Sequence, residues 1–182
     1  MAVFFRERYQ RFRLRFFKGH TLICGLGQMG FQLVRDFREL GTQVVVIEKD
    51  HANDAIHPCR DEGVTVIVGD ATDPELLRQA RADRAHYLVG TCGADDGTNL
   101  EMAIQLYRLL STHQTQGKSS GRIACRVHLV DTRLRALVRQ SRLYTRADDP
   151  LDVRPFNLFE NSARALLDMY PPEGDATTAP HL

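Results

Sequence analysis

The chain has 182 residues, which is enough for one domain with a full hydrophobic core. Its 43% hydrophobic and 26% charged residues are typical of a globular protein, and a net charge of +1 gives no indication of nucleic-acid binding. Because no run of about 18 apolar residues is present, we expect no segment of this sequence to span a membrane.

The cysteines and histidines exclude several kinds of site. The four cysteines are widely spaced and form no CxxC pair, which argues against a disulfide framework or a zinc site. Free thiols predict a reducing compartment, and we therefore expect a cytoplasmic location. No two of the seven histidines lie four residues apart, and no Ser-His-Asp pattern is present, so we expect neither a metal ligand set nor catalytic residues.

The first predicted element is a basic amphipathic helix at residues 3–18. Phe5, Tyr9, Phe12 and Phe16 are separated by four, three and four residues, which is one stripe of a helix. Residues 1–20 contain six basic residues and one acidic residue, a local charge of +5. Such a helix fits a membrane surface or a partner's groove, and it fits equally a helix that packs on its own domain with a solvated basic face.

Strands and helices then alternate along the chain. Apolar runs predict strands at residues 20–24, 43–47, 64–68, 86–89 and 122–130, with a short sixth strand at residues 152–156. Helical patterns are expected at residues 28–40, before Arg60, after Thr72-Asp73-Pro74, and at residues 95–110, 131–143 and 157–170. Residues 112–121 are expected to form a loop, and the tail at residues 171–182 to be disordered. The alternation predicts a Rossmann-like, doubly wound α/β fold with a parallel six-stranded sheet and helices on both faces.

A glycine-rich sequence, GLGQMG at residues 25–30, joins the first predicted strand to the following helix. Gly25 permits a tight turn, Gly27 leaves room for a diphosphate, and Gly30 lets the helix pack closely on the sheet. The helix N-terminus directs free N–H groups and a positive dipole end at the phosphates. This context makes the motif more specific than GxGxxG alone.

An acidic residue, Glu48, ends the second predicted strand, 18 residues after Gly30. A carboxylate there can accept hydrogen bonds from ribose hydroxyls and would repel a 2′-phosphate. The sequence thus favours NAD(H) or an adenosine phosphate over NADP(H), although the neighbouring Lys49 weakens the argument slightly.

Two further clusters follow the third and fourth predicted strands. Asp70, in the sequence GDAT, is expected to bond an adenine amino group or position its loop, or else to cap the next helix. Thr91 is the expected ribose or phosphate contact in the sequence GTCGADD, while Asp95 and Asp96 are expected to cap the following helix. Cys92 is either a reactive thiol or a small residue beside the nucleotide, and the second interpretation is preferred because no base is adjacent.

Together these segments resemble the RCK domain, the regulator of K⁺ conductance domain found in Trk-type potassium uptake proteins and K⁺ channels. The resemblance covers about residues 19–145 and depends on GLGQMG after HTLIC, on VVVIEKD, on VTVIVGDATDPELL and on HYLVGTCGADDGTNLEMA. The resemblance implies a regulatory domain that binds NAD(H), ADP, ATP or AMP and controls an associated K⁺ channel or transporter pore. It implies ligand contacts at Gly25, Leu26, Gly27, Gln28, Met29, Gly30, Glu48, Lys49, Asp70, Ala71, Thr72, Thr91 and Cys92.

The resemblance also implies an assembly. We expect a Rossmann-type domain at residues 19–155, a crossover helix at residues 156–170 that forms a homodimer or a larger ring, and a linker at residues 1–18 that leads to the inner face of the membrane. We expect two departures from the family: this sequence shows neither the C-terminal ligand-binding subdomain nor a pore segment. The alternatives are an NAD-dependent oxidoreductase with a minimal substrate region and an NAD-binding subunit that only supports an oligomer.

Overall fold

The computed structural model describes residues 14–93, 95–115, 121–141 and 149–171. The basic helix expected at residues 3–18 lies outside these ranges except for residues 14–18. The expected disordered tail also lies outside them, except for residue 171. Within the described ranges, no helix combines the length and the apolar character that crossing a bilayer requires.

Six parallel strands form one sheet in the order β3-β2-β1-β4-β5-β6. They are β1 (Thr21–Cys24), β2 (Val44–Glu48), β3 (Thr65–Val68), β4 (Tyr87–Gly90), β5 (Ile123–His128) and β6 (Leu151–Phe156). The strand order reverses between β1 and β4, where Cys24 pairs in register with Gly90. In such sheets ligands bind at the carboxyl ends of the strands beside this reversal, so the topology itself indicates where a site would lie.

In the described part of the chain, six helices connect and follow the strands. They are α1 (Gln28–Glu39), α2 (Ile56–Asp61), α3 (Pro74–Gln79), α4 (Asp96–Thr115), α5 (Thr132–Gln140) and α6 (Leu158–Met169), with a short 3₁₀ turn at Ala82–Arg84. The six-stranded, doubly wound Rossmann-like fold expected from the sequence is confirmed.

The sheet separates two hydrophobic clusters because successive side chains of a strand point to opposite faces. Val44 and Val46 belong to one cluster, and Val45 and Ile47 to the other. The first cluster packs against α1 and α2 through Val34, Ile56 and Cys59. The second packs against α3 and α4 through Leu77, Met102 and Leu106. All these side chains are buried, which explains why the strand sequences are continuously apolar.

Helix ends follow the local signals in the sequence. Gly41, with φ +73°, follows α1, and the N–H of Thr42 donates to the carbonyl of Phe37 at 3.0 Å, which closes the helix. Asp73 caps α3 ahead of Pro74, and Asp131 caps α5. All three agree with the helix boundaries that the sequence predicts.

The predicted loop at residues 112–121 was wrong over its first four residues, because α4 continues to Thr115. The hydroxyl groups of Ser111, Thr112 and Thr115 donate to carbonyls three or four residues earlier, at 2.8–2.9 Å. These side chains therefore satisfy their polar groups within the helix, and a sequence low in apolar residues stays helical. Helix α5 ends at Gln140 rather than near residue 143, with the N–H of Ser141 donating to Val138.

Candidate nucleotide-binding site

A cavity of about 450 Å³ lies at the carboxyl ends of β1, β2, β3 and β4, beside the strand-order reversal. We call this cavity the crevice. Its lining residues are Gly25, Leu26, Gly27, Ile47, Glu48, Lys49, Asp50, Asn53, Gly69, Asp70, Ala71, Cys92, Gly93, Asp95 and Thr98. The volume lies within the usual range of small-molecule and cofactor sites.

Two glycines of the 25–30 turn are required by close backbone packing. A Cβ atom on Gly25, which has φ +97°, would lie 2.7 Å from the carbonyl oxygen of Thr91. A Cβ atom on Gly30 would lie 2.0 Å from the carbonyl oxygen of Gly25. Both contacts are with backbone atoms, which cannot easily move aside. The turn is therefore folded tightly between β4 and the first turn of α1.

Gly27 is different, because a Cβ atom added to it would meet no atom within 4 Å. Its φ of −68° is also accessible to any residue. No close contact with a described residue requires a glycine here. The open space lies beside the crevice, as expected if a ligand approaches the backbone at this point.

The N-terminus of α1 borders the crevice without a capping side chain. Gly27 occupies the N-cap position, none of the described side chains accepts from the first turn, and the first turn contains no acidic residue. A helix N-terminus with free N–H groups binds anions, and phosphate in particular.

Glu48 connects this turn to the loop that follows β2. One carboxylate oxygen, Oε2, accepts from the N–H of Leu26 at 2.5 Å, and Oε1 accepts from the N–H of Asp50 at 2.8 Å. The residue is only 8% exposed, although it lines the crevice. Each carboxylate oxygen has a second lone pair, so the group retains capacity to accept from a ligand hydroxyl.

Two more side chains hold the turn in place. The Thr91 hydroxyl lies 3.1 Å from the carbonyl oxygen of Cys24 and 3.0 Å from that of Gly25. The Asn53 amide donates to the carbonyl of Leu26 at 3.2 Å. The turn is thus fixed by backbone packing on one side and by side-chain hydrogen bonds on the others.

Asp70 positions the loop after β3. One carboxylate oxygen accepts from both the N–H and the hydroxyl of Thr72, and the other lies 2.8 Å from Nζ of Lys49. The hydrogen bonds from Lys49 and Thr72 lower the pKa of Asp70 to about 2. The helix α3 is capped by Asp73 instead, so the capping role considered for Asp70 is not observed.

Cys92 is not an activated thiol in this site. Burial, followed by the nearby charges of Glu48 and Asp70, raises its pKa to about 12. The thiol therefore remains protonated at neutral pH. This agrees with the interpretation of Cys92 as a small, unreactive residue. Asp95 lines the crevice rim and accepts from the N–H of Gly97 and the hydroxyl of Thr98, both at 2.9 Å, as a helix cap does.

Eight of the thirteen residues predicted from the sequence line the crevice: Gly25, Leu26, Gly27, Glu48, Lys49, Asp70, Ala71 and Cys92. The other five, Gln28, Met29, Gly30, Thr72 and Thr91, do not line it. Seven lining residues were not predicted as contacts: Ile47, Asp50, Asn53, Gly69, Gly93, Asp95 and Thr98. Ile47 and Asp50 adjoin Glu48, so proximity in sequence was a usable signal, whereas nothing near Asn53 distinguished it from other loop residues.

The TrkA-N domain model matches residues 21–128, which include all of β1–β5 and the whole crevice. This chain belongs to the TrkA-N domain family. The match also confirms the resemblance on which the expected fold and class of function depend.

Relatives of this TrkA-N domain include proteins associated with potassium channels. Potassium channel protein 1 of Methanocaldococcus jannaschii is 29% identical over 94 residues, covering 50% of this chain and 28% of that protein. The chain therefore spans little more than a quarter of that relative. The structure named as the GsuK channel bound to NAD has a TM-score of 0.54 and 20% identity, covering 68% of this chain and 20% of its own.

Two further solved structures align over nearly their full length. The NAD(P)-binding domain of an exopolyphosphatase-related protein from Archaeoglobus fulgidus has a TM-score of 0.61 and 17% identity, covering 84% of this chain and 97% of its own. The TrkA-N domain of the inner membrane protein ybaL from Escherichia coli has a TM-score of 0.57 and 18% identity, covering 85% and 98%. At these identities the likeness establishes the fold.

The contrast between Gly27 and Gly30 gives a matched pair of variants. Gly30→Ala should lower the free energy of unfolding by about 3 kcal/mol, because the new methyl group overlaps a backbone carbonyl. Gly27→Ala should lower it by less than about 1 kcal/mol and yet weaken nucleotide binding by at least ~10-fold, because the methyl group occupies the phosphate approach. Urea denaturation and calorimetric titration measure the two effects. Equal stability losses, or undiminished binding in Gly27→Ala, would contradict this account of the turn.

Proposed function

We propose that this TrkA-N domain is a nucleotide sensor that binds NAD(H) in the crevice and regulates potassium transport through an associated membrane pore. The observation that carries the proposal is the position of Glu48. Its carboxylate lies at the carboxyl end of β2 and bonds directly to the turn that precedes the uncapped N-terminus of α1. A ligand that joins a ribose to a diphosphate would contact both the Glu48 carboxylate and the N-terminus of α1.

The charges around the crevice favour NAD(H) over NADP(H). Four carboxylates line it, those of Glu48, Asp50, Asp70 and Asp95, and Lys49 is the only basic residue among the lining residues. Lys49 is already paired with Asp70. A 2′-phosphate placed near Glu48 would therefore meet repulsion without a counterion. ADP, ATP and AMP share the adenosine moiety and are the competing ligands.

The proposal assigns no chemistry to the domain. The thiol of Cys92 is held protonated by its environment, and both oxygens of Glu48 are engaged by backbone N–H groups. The thiol is thereby not prepared to act as a nucleophile, and the proposal gives Glu48 a role in binding alone. A binding site with rigid contacts and no activated side chain suits a sensor, in which the ligand acts by binding one conformation better than another.

The match to the Methanocaldococcus potassium channel protein covers only 28% of that protein. The association of this domain with a pore is therefore part of the proposal. The domain, residues 19–155, would lie at the cytoplasmic face of the membrane. Residues 1–18, with their net charge of +5, would form the linker that leads to the pore or to the membrane surface.

Helix α6 is the proposed site of assembly with a second copy of the chain. None of its residues is buried, although it is amphipathic. Its exposed apolar side chains are Leu158, Phe159, Leu166, Leu167 and Met169, followed by Tyr170. Phe159, Leu166 and Tyr170 are spaced by seven and four residues, which aligns them on one side of the helix. A stripe of this kind on a helix that its own domain leaves uncovered is typical of a dimerisation surface.

Hydrogen bonds connect the crevice to the segment that carries α5 and α6. The Asn99 amide, which is fully buried, accepts from the N–H of Cys92 at 2.9 Å and donates to the carbonyl of His128 at 3.0 Å. The Asp96 carboxylate accepts from the N–H groups of Val130 and Asp131 at 2.8 and 2.7 Å. The loop after β4 is thereby fixed to the end of β5.

From the end of β5 the connection continues into α6. The buried guanidinium of Arg135 on α5 donates to both carboxylate oxygens of Glu160 on α6, at 2.7 Å for the Nη1–Oε2 pair. Asn157 caps α6 through its side-chain oxygen, which accepts from the N–H groups of Phe159 and Glu160. In the proposal, a nucleotide that displaces the loop at Cys92 changes the orientation of α6 through these contacts.

Glu48→Gln tests the nucleotide assignment. The amide has one acceptor oxygen where the carboxylate has two, so it cannot serve Leu26, Asp50 and a ribose together. We expect NAD⁺ affinity to fall roughly 10- to 150-fold, which corresponds to about 1.5–3 kcal/mol, and the disadvantage of NADP⁺ relative to NAD⁺ to shrink. Calorimetric titration with NAD⁺, NADH, NADP⁺, ATP, ADP and AMP gives both quantities. The control is Glu62→Gln, the same change at an exposed residue that does not line the crevice. If none of the six nucleotides binds the wild type, the proposed function fails.

Leu166→Asp tests the assembly surface. Placing a charge in the apolar stripe should convert a dimer to a monomer in sedimentation experiments while leaving the thermal unfolding of the domain itself unchanged, because Leu166 is 60% exposed within one chain. Asn161→Asp adds the same charge on the opposite side of α6 and should leave the dimer intact. A wild type that sediments as a monomer at micromolar concentrations would contradict the dimer through α6.

A further inference from the structure

A second cavity, of about 330 Å³, is lined by three arginines. Its lining residues are Leu14, Arg15, Glu75, Arg78, Gln79 and Arg81. The segment that precedes β1 lies against the 3₁₀ turn here, since the N–H of Gly19 donates to Arg84 and the His20 ring bonds the carbonyl of Ala80. Because β1 and β4 both begin nearby, the cavity lies at the amino ends of the strands, opposite the crevice.

The charges of this cavity are not balanced within the described part of the chain. Arg78 pairs with Glu75, the single carboxylate that lines the cavity. The next nearest carboxylate in sequence, Asp83, pairs instead with Arg84 at 3.7 Å and lies 3.9 Å from His113. Arg15 and Arg81 have no ion pair with any described residue, so the described part of the chain supplies no counterion for these two guanidinium groups.

Arg81 has a buried polar atom without a described partner and an unusual backbone conformation. Its Nε atom is buried and has no hydrogen-bond partner among the described residues, although buried polar atoms nearly always have one. Its φ of +56° makes it the one non-glycine residue with positive φ in the described chain. Arg81 directly follows the C-cap of α3, where helices commonly end with a left-handed residue that is usually glycine. An arginine adopts this conformation with more strain than glycine does.

We propose that Arg15, Arg78 and Arg81 form a binding site for a phosphate group, separate from the crevice. Guanidinium groups bind phosphate through paired, charge-assisted hydrogen bonds, and three of them around one cavity match the several oxygens of a phosphate. A membrane phospholipid and a soluble phosphate ester both present this group. The basic segment at residues 1–20 adjoins the site in sequence and adds to the attraction for an anionic surface.

The test uses the full chain and two probes. Vesicles of phosphatidylglycerol, with phosphatidylcholine vesicles as the uncharged comparison, measure headgroup binding by sedimentation. Glycerol 1-phosphate, followed through the amide NMR signals of residues 78–81, measures binding of the soluble ester at this site rather than at the crevice. We expect the double variant Arg15→Gln/Arg81→Gln to weaken binding at least tenfold to whichever probe the wild type binds.

The control, Arg108→Gln/Arg133→Gln, removes the same charge from exposed positions on α4 and α5 and should bind like the wild type. Vesicle binding alone would identify a lipid headgroup as the ligand, and ester binding alone a soluble phosphate. The site is refuted if the wild type binds neither probe, or if the Arg15/Arg81 and control variants lose binding equally.

Arg81→Gly keeps the test independent of folding. Glycine relieves the left-handed strain, so this variant should unfold at the same temperature as the wild type or higher, while its phosphate binding falls at least tenfold. A purely structural role for Arg81 predicts the reverse, with reduced stability and unchanged binding.

Discussion

The close packing of one turn, residues 25–30, against the backbone around it shapes the crevice on which the proposed function depends. The carbonyl of Gly25 lies where a side chain on Gly30 would have to be, and the carbonyl of Thr91 lies where a side chain on Gly25 would be. This double contact brings the N-terminus of α1 to the carboxyl end of β1. It also places the turn within reach of the Glu48 carboxylate on β2. The phosphate and ribose contacts that we propose at α1 and Glu48 therefore both depend on a single backbone constraint.

Side-chain hydrogen bonds also join the turn to distant elements of the fold. The Thr91 hydroxyl holds the start of the turn through the carbonyl of Cys24. The Asn99 amide bonds both the N–H and the carbonyl of the next residue, Cys92. Asn99 in turn reaches the end of β5. A buried polar network of this kind is costly when partly unsatisfied, so its members tend to move together or not at all. That property is what the proposed transmission from nucleotide to α6 requires.

Much of the fold and part of the site could be predicted from the sequence. Continuous apolar runs specify buried parallel strands, and GLGQMG with Glu48 at the right distance specifies the turn and its acidic neighbour. Asn53 could not be predicted, because its amide reaches Leu26 from a loop 27 residues away, a tertiary contact without a local signal. The extension of α4 to Thr115 was missed for the opposite reason: hydroxyl groups that are typical of loops bond within the helix instead. Glu48 was expected as a ligand contact only, whereas its two hydrogen bonds show that it also holds the turn.

A crystal structure of the chain with NAD⁺ would test the central claim most directly. Our account predicts the diphosphate beside Gly27 at the N-terminus of α1 and the adenosine ribose hydroxyls within 3.2 Å of the Glu48 carboxylate. It also predicts displacement of the loop that contains Cys92. A nucleotide bound elsewhere, or one whose ribose does not contact Glu48, would contradict the account.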